Sequence, residues 1–511
     1  MGKKEFFERM EALVLALTFD DVRLRTAHSE VMPKDISLET MFSRNIPLKI
    51  PIVSAAMDTV TEYEMAIELA KLGGIGIIHR GLTPEEQARQ VARVKFHLNG
   101  LIDRPICVNE NQRIEEILKL REDKKYSFHT FPVIDSDGRL VGILTKNDFD
   151  FCDDKSRLVK EIMSIQLVTG RPDMTLEQVY RIMINEKKKV LPLINESGNI
   201  TGMYIFSDVQ RIFLGSSSTF NLDGKGQLKV GAAIGVGDDA FERLERLVRK
   251  NIDVVVLDTA HGDSSNVIET LKRVKEKYPS LDVVAGNISE AESAEKLIVA
   301  GADGIKIGQG PGSICTSRYV AGIGCPQVTA VYNCSKVADV HNIPVCADGG
   351  LVYSGDIAIA IGAGAHSVML GNMLAGTKET PGETVFHNGR YWKDYRGMGS
   401  LGALEEHASS RERYKQEGTE SSELVPEGVE GLVPFKGELG KVMIQYLGGL
   451  RSGMGYVGAR TIQELRKKAD FIRITRAGQA ESHPHNVLIT REPPNYPGNV
   501  RWLKHEKLLS V

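Results

Sequence analysis

Cysteine is scarce: six thiols are spread over 511 residues, at positions 107, 152, 315, 325, 334 and 346. They have neither paired metal spacing nor the density of a disulfide scaffold, which excludes a stapled secreted fold and a cysteine-rich zinc site. Most are expected to be reduced, buried fillers. An excess of one charge is also lacking, since 64 Lys and Arg face 67 Asp and Glu for a net −3. With no long basic stripe and no acidic tail, electrostatics does not point to nucleic acid, while acidic small molecules remain open. No apolar run reaches the length of a membrane span. In MGKKEFFERMEALVLAL, Glu5, Glu8 and Glu11 interrupt the apolar residues, and ALVLAL is too short for a signal sequence. Gly2 has no Ser or Thr at position 6, and KLLSV is neither a prenylation box nor a peroxisomal address. The expected location is the cytoplasm. With 42% hydrophobic residues the chain can build a core, and its length predicts more than one domain.

What is present begins with a repeat. FPVIDSDGRLVGILTKNDF, from Phe131, returns as LPLINESGNITGMYIFSDV, from Leu191, with Pro132/Pro192, Gly138/Gly198, Gly142/Gly202 and Asp148/Asp208 in register. Each copy predicts a hairpin closed by a polar-Gly turn and preceded by a helix, IEEILKLRED or LEQVYRIMIN. A duplicated unit of this size packs as a pseudo-symmetric pair, because neither copy alone covers its apolar face. The pair resembles a tandem CBS (Bateman) module, a family that binds purine nucleotides between its halves. That resemblance implies ribose contacts from Asp148 and Asp208, with Thr145 fitting the pattern and Ile205 departing from it. Capping of the following helices is the alternative use of both aspartates.

Around the repeat, strand-like and helix-like runs alternate. IPIVSAAM and GIGIIHR precede it; KVGAAIGV, DVVVLD, LDVVAGN, GIKIG, VCADGG and SVMLGN follow, with amphipathic helices between. The alternation predicts βα units and a parallel sheet. Polar or glycine residues sit where these strands end: Asp58, His79, Asp258, Asn287, Gly308, Asp348 and Asn372. Such placement suits an α/β fold of the (β/α)8 TIM barrel type, whose active site gathers at the carboxyl ends of its strands. A dinucleotide-binding sheet is the rival, because GVGDDA (235–240) fits G-x-G-x-x-A between a strand and a helix, with Asp258 ending the next strand. The predicted layout is barrel over 1–99, an inserted α+β tandem CBS module over 100–215, a Ser/Gly return linker from 216, and barrel again over 216–511 with a flap at 400–430.

GPGSICTSR (310–318) sets a cysteine behind closely spaced glycines that let backbone approach a ligand. A thiolate is the strongest nucleophile among common side chains, and Lys306 and Arg318 are candidates for lowering the pKa of Cys315. GPGSICTSRYVAGIGCPQ resembles the active-site loop of the IMP dehydrogenase family. LTFDDVRL, PIVSAAMDTVTE, VVVLDTAHG, VCADGGLVYSGD, YRGMGSLGA, VPEGVEGLVPFKG and ESHPHN resemble the same family, in its order, from about Leu17 to Tyr496.

The resemblance implies oxidation of IMP to XMP with NAD+, Cys315 being the nucleophile. It assigns the phosphate to Ser313, Gly349, Gly350, Gly371, Asn372 and Tyr395, with Asn372 standing where serine is usual. Asp348 is implied for the ribose hydroxyls, and Met398, Gly399 and Glu427 for the base. Cofactor contacts are implied at Asp258, Asn287, Gly308 and Gly310. Arg413 and Tyr414 match the water-activating pair of a mobile flap, with Arg411 as a competing candidate in another register. Ser317, where threonine is usual, and Glu427 match a second proton route. Potassium is implied at the carbonyls of Gly310, Gly312 and Cys315 with Glu481, Ser482 and His483 of a neighbouring subunit, hence a homotetramer, with an octamer as an extension. Two other readings stay in view: an NADPH-dependent GMP reductase, and a nucleotide-sensing scaffold that has lost catalysis.

Overall fold

The computed structural model describes residues 2–98, 101–102, 105–123, 126, 128–213 and 219–496. It divides into two compact units, one of Met1–Val94, Thr219–Asp223 and Lys229–Val511, the other of Lys95–Ser218 and Gly224–Leu228.

Eight short parallel strands of the first unit close into a barrel: β1 (Ile52–Ser54), β2 (Ile75–Ile78), β3 (Gly231–Ile234), β4 (Val254–Asp258), β5 (Asp282–Ile288), β6 (Gly304–Ile307), β7 (Val345–Asp348) and β8 (Ser367–Leu370). Sequence neighbours pair throughout, from Val53 opposite Ile75 to Val368 opposite Ile52, so no strand is left as an edge. Their near-continuous apolar composition follows from burial on both faces, by side chains inside and by the intervening helices outside. Inside, Val53, Ile75, Ile77, Val254, Val256 and Val284 form one cluster with Phe42, Ile46 and Leu48 of an antiparallel hairpin, Thr40–Ser43 and Ile46–Leu48. That hairpin meets the start of the strands: Ser43 Oγ and the Asn45 N–H donate to Asp282 at the head of β5, at 2.6 and 2.8 Å. One mouth is thereby plugged, and the carboxyl ends of the strands are left for chemistry.

Closure overturns the dinucleotide-sheet rival. GVGDDA does run from β3 into the helix Gly237–Val248, but β3 lies between β2 and β4 in a closed ring, which has no switch point to seat a dinucleotide. The Ser/Gly stretch from 216 partly falls on 216–218, outside the described residues. Beyond them Thr219–Asp223 belong to the barrel unit, with Asn221 Nδ2 donating to the Gly74 carbonyl at 3.0 Å, and the residues from Gly224 to Leu228 belong to the other unit.

The second unit repeats itself as its sequence does. Phe131–Ile134 pairs with Leu140–Leu144, and Val190–Ile194 with Ile200–Ile205, each interrupted by a register shift at the matching place, Val133/Ile134 and Leu193/Ile194. Asp135 and Asn195 hold the two turns alike, each accepting backbone N–H groups two and four residues on. The turns also meet across the pseudo-symmetry through a bridge between Arg139 and Asn199. Phe131, wholly buried, centres the first half against Ile117, Leu144 and Phe149.

A three-stranded antiparallel sheet, Thr384–His387, Arg390–Arg396 and Glu430–Pro434, was not foreseen from the sequence. Among the described residues no helix is long and apolar enough to cross a membrane.

Phe131→Ala removes the largest side chain from that first half. It is expected to destabilise the second unit by about 3–5 kcal/mol, seen in calorimetry as an earlier unfolding transition of that unit.

Candidate active site

The carboxyl ends of the strands surround a cavity of about 420 Å³, within the usual range for a small-molecule site. It is lined by every catalytic, substrate and cofactor position named from the sequence: Cys315, Ser317, Arg413, Tyr414 and Glu427; Ser313, Asp348, Gly349, Gly350, Gly371, Asn372, Tyr395, Met398 and Gly399; Asp258, Asn287, Gly308 and Gly310. Gly312 lines it as well. Glu481, Ser482 and His483 do not, and Asp148 and Asp208 belong to the other unit.

The loop bearing the cysteine leaves β6 through Gly308. Its φ is +148°, and a Cβ there would fall 2.1 Å from the Asp348 carbonyl oxygen, so only glycine fits. Gln327 Nε2 ties the two strand ends, donating to the carbonyls of Ile307 at 2.8 Å and Asp348 at 3.0 Å. Further on, the Cys315 N–H donates to the Gly312 carbonyl at 3.0 Å. The loop is also stitched to residues 427–429, Thr316 N–H to Glu427 and Val429 N–H to Ile314, both at 2.9 Å. Cys315 Sγ lies 3.2 Å from Ser317 Oγ, so thiol and hydroxyl share one hydrogen bond.

The electrostatic centre is Lys306, on β6 and 1% exposed. Its Nζ donates to Asp258 at 2.9 Å and Asp348 at 2.8 Å, and also to Asn287 Oδ1. Asn287 Nδ2 in turn donates to Asp348 at 2.9 Å and to the Gly308 carbonyl at 2.7 Å. Burial works against a charged lysine, but the two carboxylates outweigh it and raise its pKa. Burial likewise opposes ionisation of Asp258, yet Arg413 and Lys306 hold its carboxyl well below the usual carboxylate range.

This network corrects one expectation. Lys306 is committed to the two aspartates, and Arg318 donates to the carbonyls of Gln309 and Cys325, so neither charge is directed at the Cys315 thiol. Lys306 was undervalued in the sequence; the signal for its role is a lone charge inside the apolar run GIKIG.

From the flap, the short helix Ala408–Arg413 delivers Arg413 to Asp258 as an ion pair. Tyr414 packs on Gly399, where a Cβ would come 2.5 Å from the ring. Burial pushes the Tyr414 phenol up to about 12, Arg413 pulling against it and the charges of Cys315 and Glu427 adding to it. Arg411 is used elsewhere, its Nε donating to the Leu404 carbonyl at 2.7 Å within the flap. At the other end of the cavity Tyr395 is buried, its phenol raised by burial although hydrogen bonds to Ser313 and the backbone of Asn372 pull it down.

The C-terminal triplet starts on the last residue of the helix Arg476–Glu481: Ser482 Oγ donates to the Gly478 carbonyl at 2.7 Å, and His483 Nδ1 lies 2.8 Å from the Tyr496 hydroxyl. Among the described residues no cluster of three or more His, Cys, Asp or Glu is placed to hold a metal ion. In the second unit Asp148 Oδ2 accepts from Thr145 N–H at 2.6 Å and Thr145 Oγ1 at 2.7 Å, so the helix-capping use is realised there.

Lys306→Met leaves two buried carboxylates without their common cation. At pH 7 it is expected to cost about 3–5 kcal/mol of stability. Because the folded-state pKa of Asp258 is depressed, the stability tied to its charge is present above the ordinary carboxylate pKa and is lost as pH falls through the folded value. The gap in Tm between the two proteins should therefore hold from pH 7 down to the ordinary carboxylate range and narrow on acidification below about pH 4, as thermal melts will show.

Comparison with known proteins agrees with this geometry. Residues 16–485 match the model of the IMP dehydrogenase / GMP reductase domain. The inosine-5'-monophosphate dehydrogenase of Halalkalibacterium halodurans is 48% identical over 94% of this chain and 98% of its own length; that of Aquifex aeolicus is 49% identical over 94% and 97%. Among solved structures, a cysteine-to-alanine variant of GMP reductase from Trypanosoma brucei, in complex with guanosine 5'-monophosphate, superposes with a TM-score of 0.84 at 41% identity, covering 94% of this chain and all of that one. A family model spanning most of the chain, relatives approaching half identity and a shared barrel lead to one statement: the chain belongs to the IMP dehydrogenase / GMP reductase family.

Proposed function

We propose that this protein oxidises IMP to XMP with NAD+ and water through a covalent bond between Cys315 and the purine, the committed step of guanine nucleotide synthesis, in the cytoplasm. The observation that carries this reading is the meeting of Cys315, Asp348 and the flap pair Arg413–Tyr414 in one cavity. Cys315 Sγ adds to C2 of the hypoxanthine ring, hydride leaves C2 for the nicotinamide ring, and water then attacks C2 to release XMP and the thiolate. IMP, NAD+ and water thereby become XMP, NADH and a proton.

Asp348 holds the ribose hydroxyls, as a carboxylate accepting two hydrogen bonds can. Ser313, Tyr395 and the backbone at Gly349, Gly350, Gly371 and Asn372 hold the phosphate, while Met398, Gly399 and Glu427 read the base. NAD+ supplies the hydride acceptor, its ribose or amide reaching Asp258 beside Asn287, Gly308 and Gly310. Since Arg413 occupies that same Asp258 carboxylate, flap and nicotinamide alternate there, and the pair reaches the site once NADH has left. Arg413 paired with Asp258 has its pKa raised despite burial, so base strength must come from its coupling to Tyr414. Ser317, bonded to Cys315, and Glu427 form the second proton route.

The residues also suit potassium, a weakly polarising cation that takes neutral carbonyl oxygens. Gly310, Gly312 and Cys315 would hold it in one subunit, and Glu481, Ser482 and His483 in the next. That sharing would require a neighbouring subunit, and the assembly proposed is a homotetramer, with an octamer as its extension.

GMP reductase is the second reading, favoured by the solved structure just described. Arg413 and Tyr414 decide against it, because deamination requires no hydrolytic flap. Protein mixed with IMP, NAD+ and potassium should yield NADH, while GMP and NADPH in a parallel cuvette should stay unchanged. The opposite pattern would make it a reductase. Cys315→Ala should lower turnover by at least about a thousandfold and keep nucleotide affinity, whereas unchanged turnover would remove the covalent mechanism.

The second unit is proposed to bind purine nucleotides next to Asp148 and Asp208 as a regulatory CBS module. Calorimetric titration with ATP and GTP should show saturable binding that Asp148→Ala weakens; no heat at millimolar nucleotide would reject it.

A further inference from the structure

The flap carries, next to Arg413, a carboxylate that the chemistry does not use. Glu412 does not line the reaction cavity, yet its side chain is only 14% exposed and both of its oxygens are engaged. One pairs with Arg80 Nη1, and the other accepts the Val236 N–H at 3.0 Å. Arg80, with a side chain 5% exposed, follows β2. Val236 follows β3. Asp258, which receives Arg413, closes β4. Three adjacent strand ends thus grip two consecutive residues of one flap helix.

Gly235 gives a second, independent sign. A Cβ there would fall 2.4 Å from both Arg80 Nη1 and Glu412 Oε2, while its φ lies outside the left-handed region, so the backbone itself would accept another residue. Only room for the ion pair calls for glycine. An alanine would act as a wedge between the two charges.

We propose that Arg80, Gly235 and the Val236 N–H form a latch that receives Glu412 and holds the flap closed after nicotinamide leaves, making Arg80 and Glu412 positioning residues for the hydrolytic step. The flap is a two-position element, and the latch biases it only through contacts made in the closed position. Arg413 on Asp258 competes with the cofactor for one carboxylate. Glu412 claims no atom of that carboxylate, so it acts on the cofactor only through the balance between open and closed flap. The kinetic consequence rests on the dehydrogenase reading; the latch itself does not.

Glu412→Gln and Gly235→Ala test it from opposite sides. In stopped flow with IMP and NAD+, the first burst of NADH should keep its rate within about twofold while steady-state turnover falls about tenfold, with the covalent intermediate accumulating. The double variant should be no slower than the worse single, because both changes break one contact. A burst that slows in step with turnover, or additive losses in the double variant, would overturn the proposal. Limited trypsin cleavage after Arg413 and Lys415 gives a readout free of the reaction: both variants should be cut about tenfold faster than the parent. Equal cleavage rates would overturn the latch whatever the protein catalyses. Should the parent make no NADH from IMP, only the dehydrogenase reading fails, and the trypsin comparison still decides the latch.

Discussion

One buried cation organises the top of this barrel. Lys306 would be an expensive side chain in a 1% exposed position if it stood alone, and it would lose its proton. Flanked by Asp258 and Asp348 it stays charged, and it fixes how far apart those carboxylates stand. In the proposed function one would hold the nucleotide substrate and the other would meet the cofactor, so a single ammonium would set the spacing of the two reactants. Asn287 completes the frame by joining Asp348 to the Gly308 carbonyl, where the cysteine loop begins. The cysteine loop, Asp348 and Asp258 therefore cannot move independently.

The same arrangement explains how one cavity can serve an oxidation and then a hydrolysis. Asp258 accepts Lys306 through one oxygen and offers the other to a single further partner, which here is Arg413. Water must be kept away while hydride transfers and admitted afterwards. In the proposed function a shared carboxylate would achieve that ordering, because Arg413 and the cofactor that must be gone first would claim the same atoms. Tyr414 fits this sequence: buried against Gly399, with its phenol held high near 12, it is a poor base by itself and depends on Arg413 for any shift toward phenolate.

The barrel was legible because its strands are short apolar runs bounded by polar ends and separated by amphipathic helices, a pattern set by burial on both faces. The candidate site was legible for a different reason, a family resemblance carried by many motifs in order, and periodicity alone would have left Cys315 a filler. What escaped was long-range pairing. Arg80 and Glu412 lie 332 residues apart, and nothing local marks either as the other's partner. Lys306 and Arg318 were read by proximity to Cys315 in sequence, whereas the backbone turns both toward other acceptors. The sheet containing Thr384–His387 escaped because that strand is exposed along its whole length, which leaves no apolar alternation to detect.

The inserted unit shows where a repeat ceases to be symmetric. Register shifts, turns and helices recur at matched positions, so the backbone of each half follows from the other. The side chains differ where a ligand would be met. Asp148 is held by two donors of one residue, the N–H and the hydroxyl of Thr145, both converging on Oδ2. Asp208 occupies the matching third position of its helix, Phe206–Phe213, but the residue matching Thr145 is Ile205, which has no hydroxyl to offer. Thr145 thus holds Asp148 through a single oxygen, and Ile205 offers no counterpart to its hydroxyl contact. The two halves therefore share a fold without sharing the Thr145 hydroxyl contact, so a repeated backbone does not carry a repeated side-chain environment.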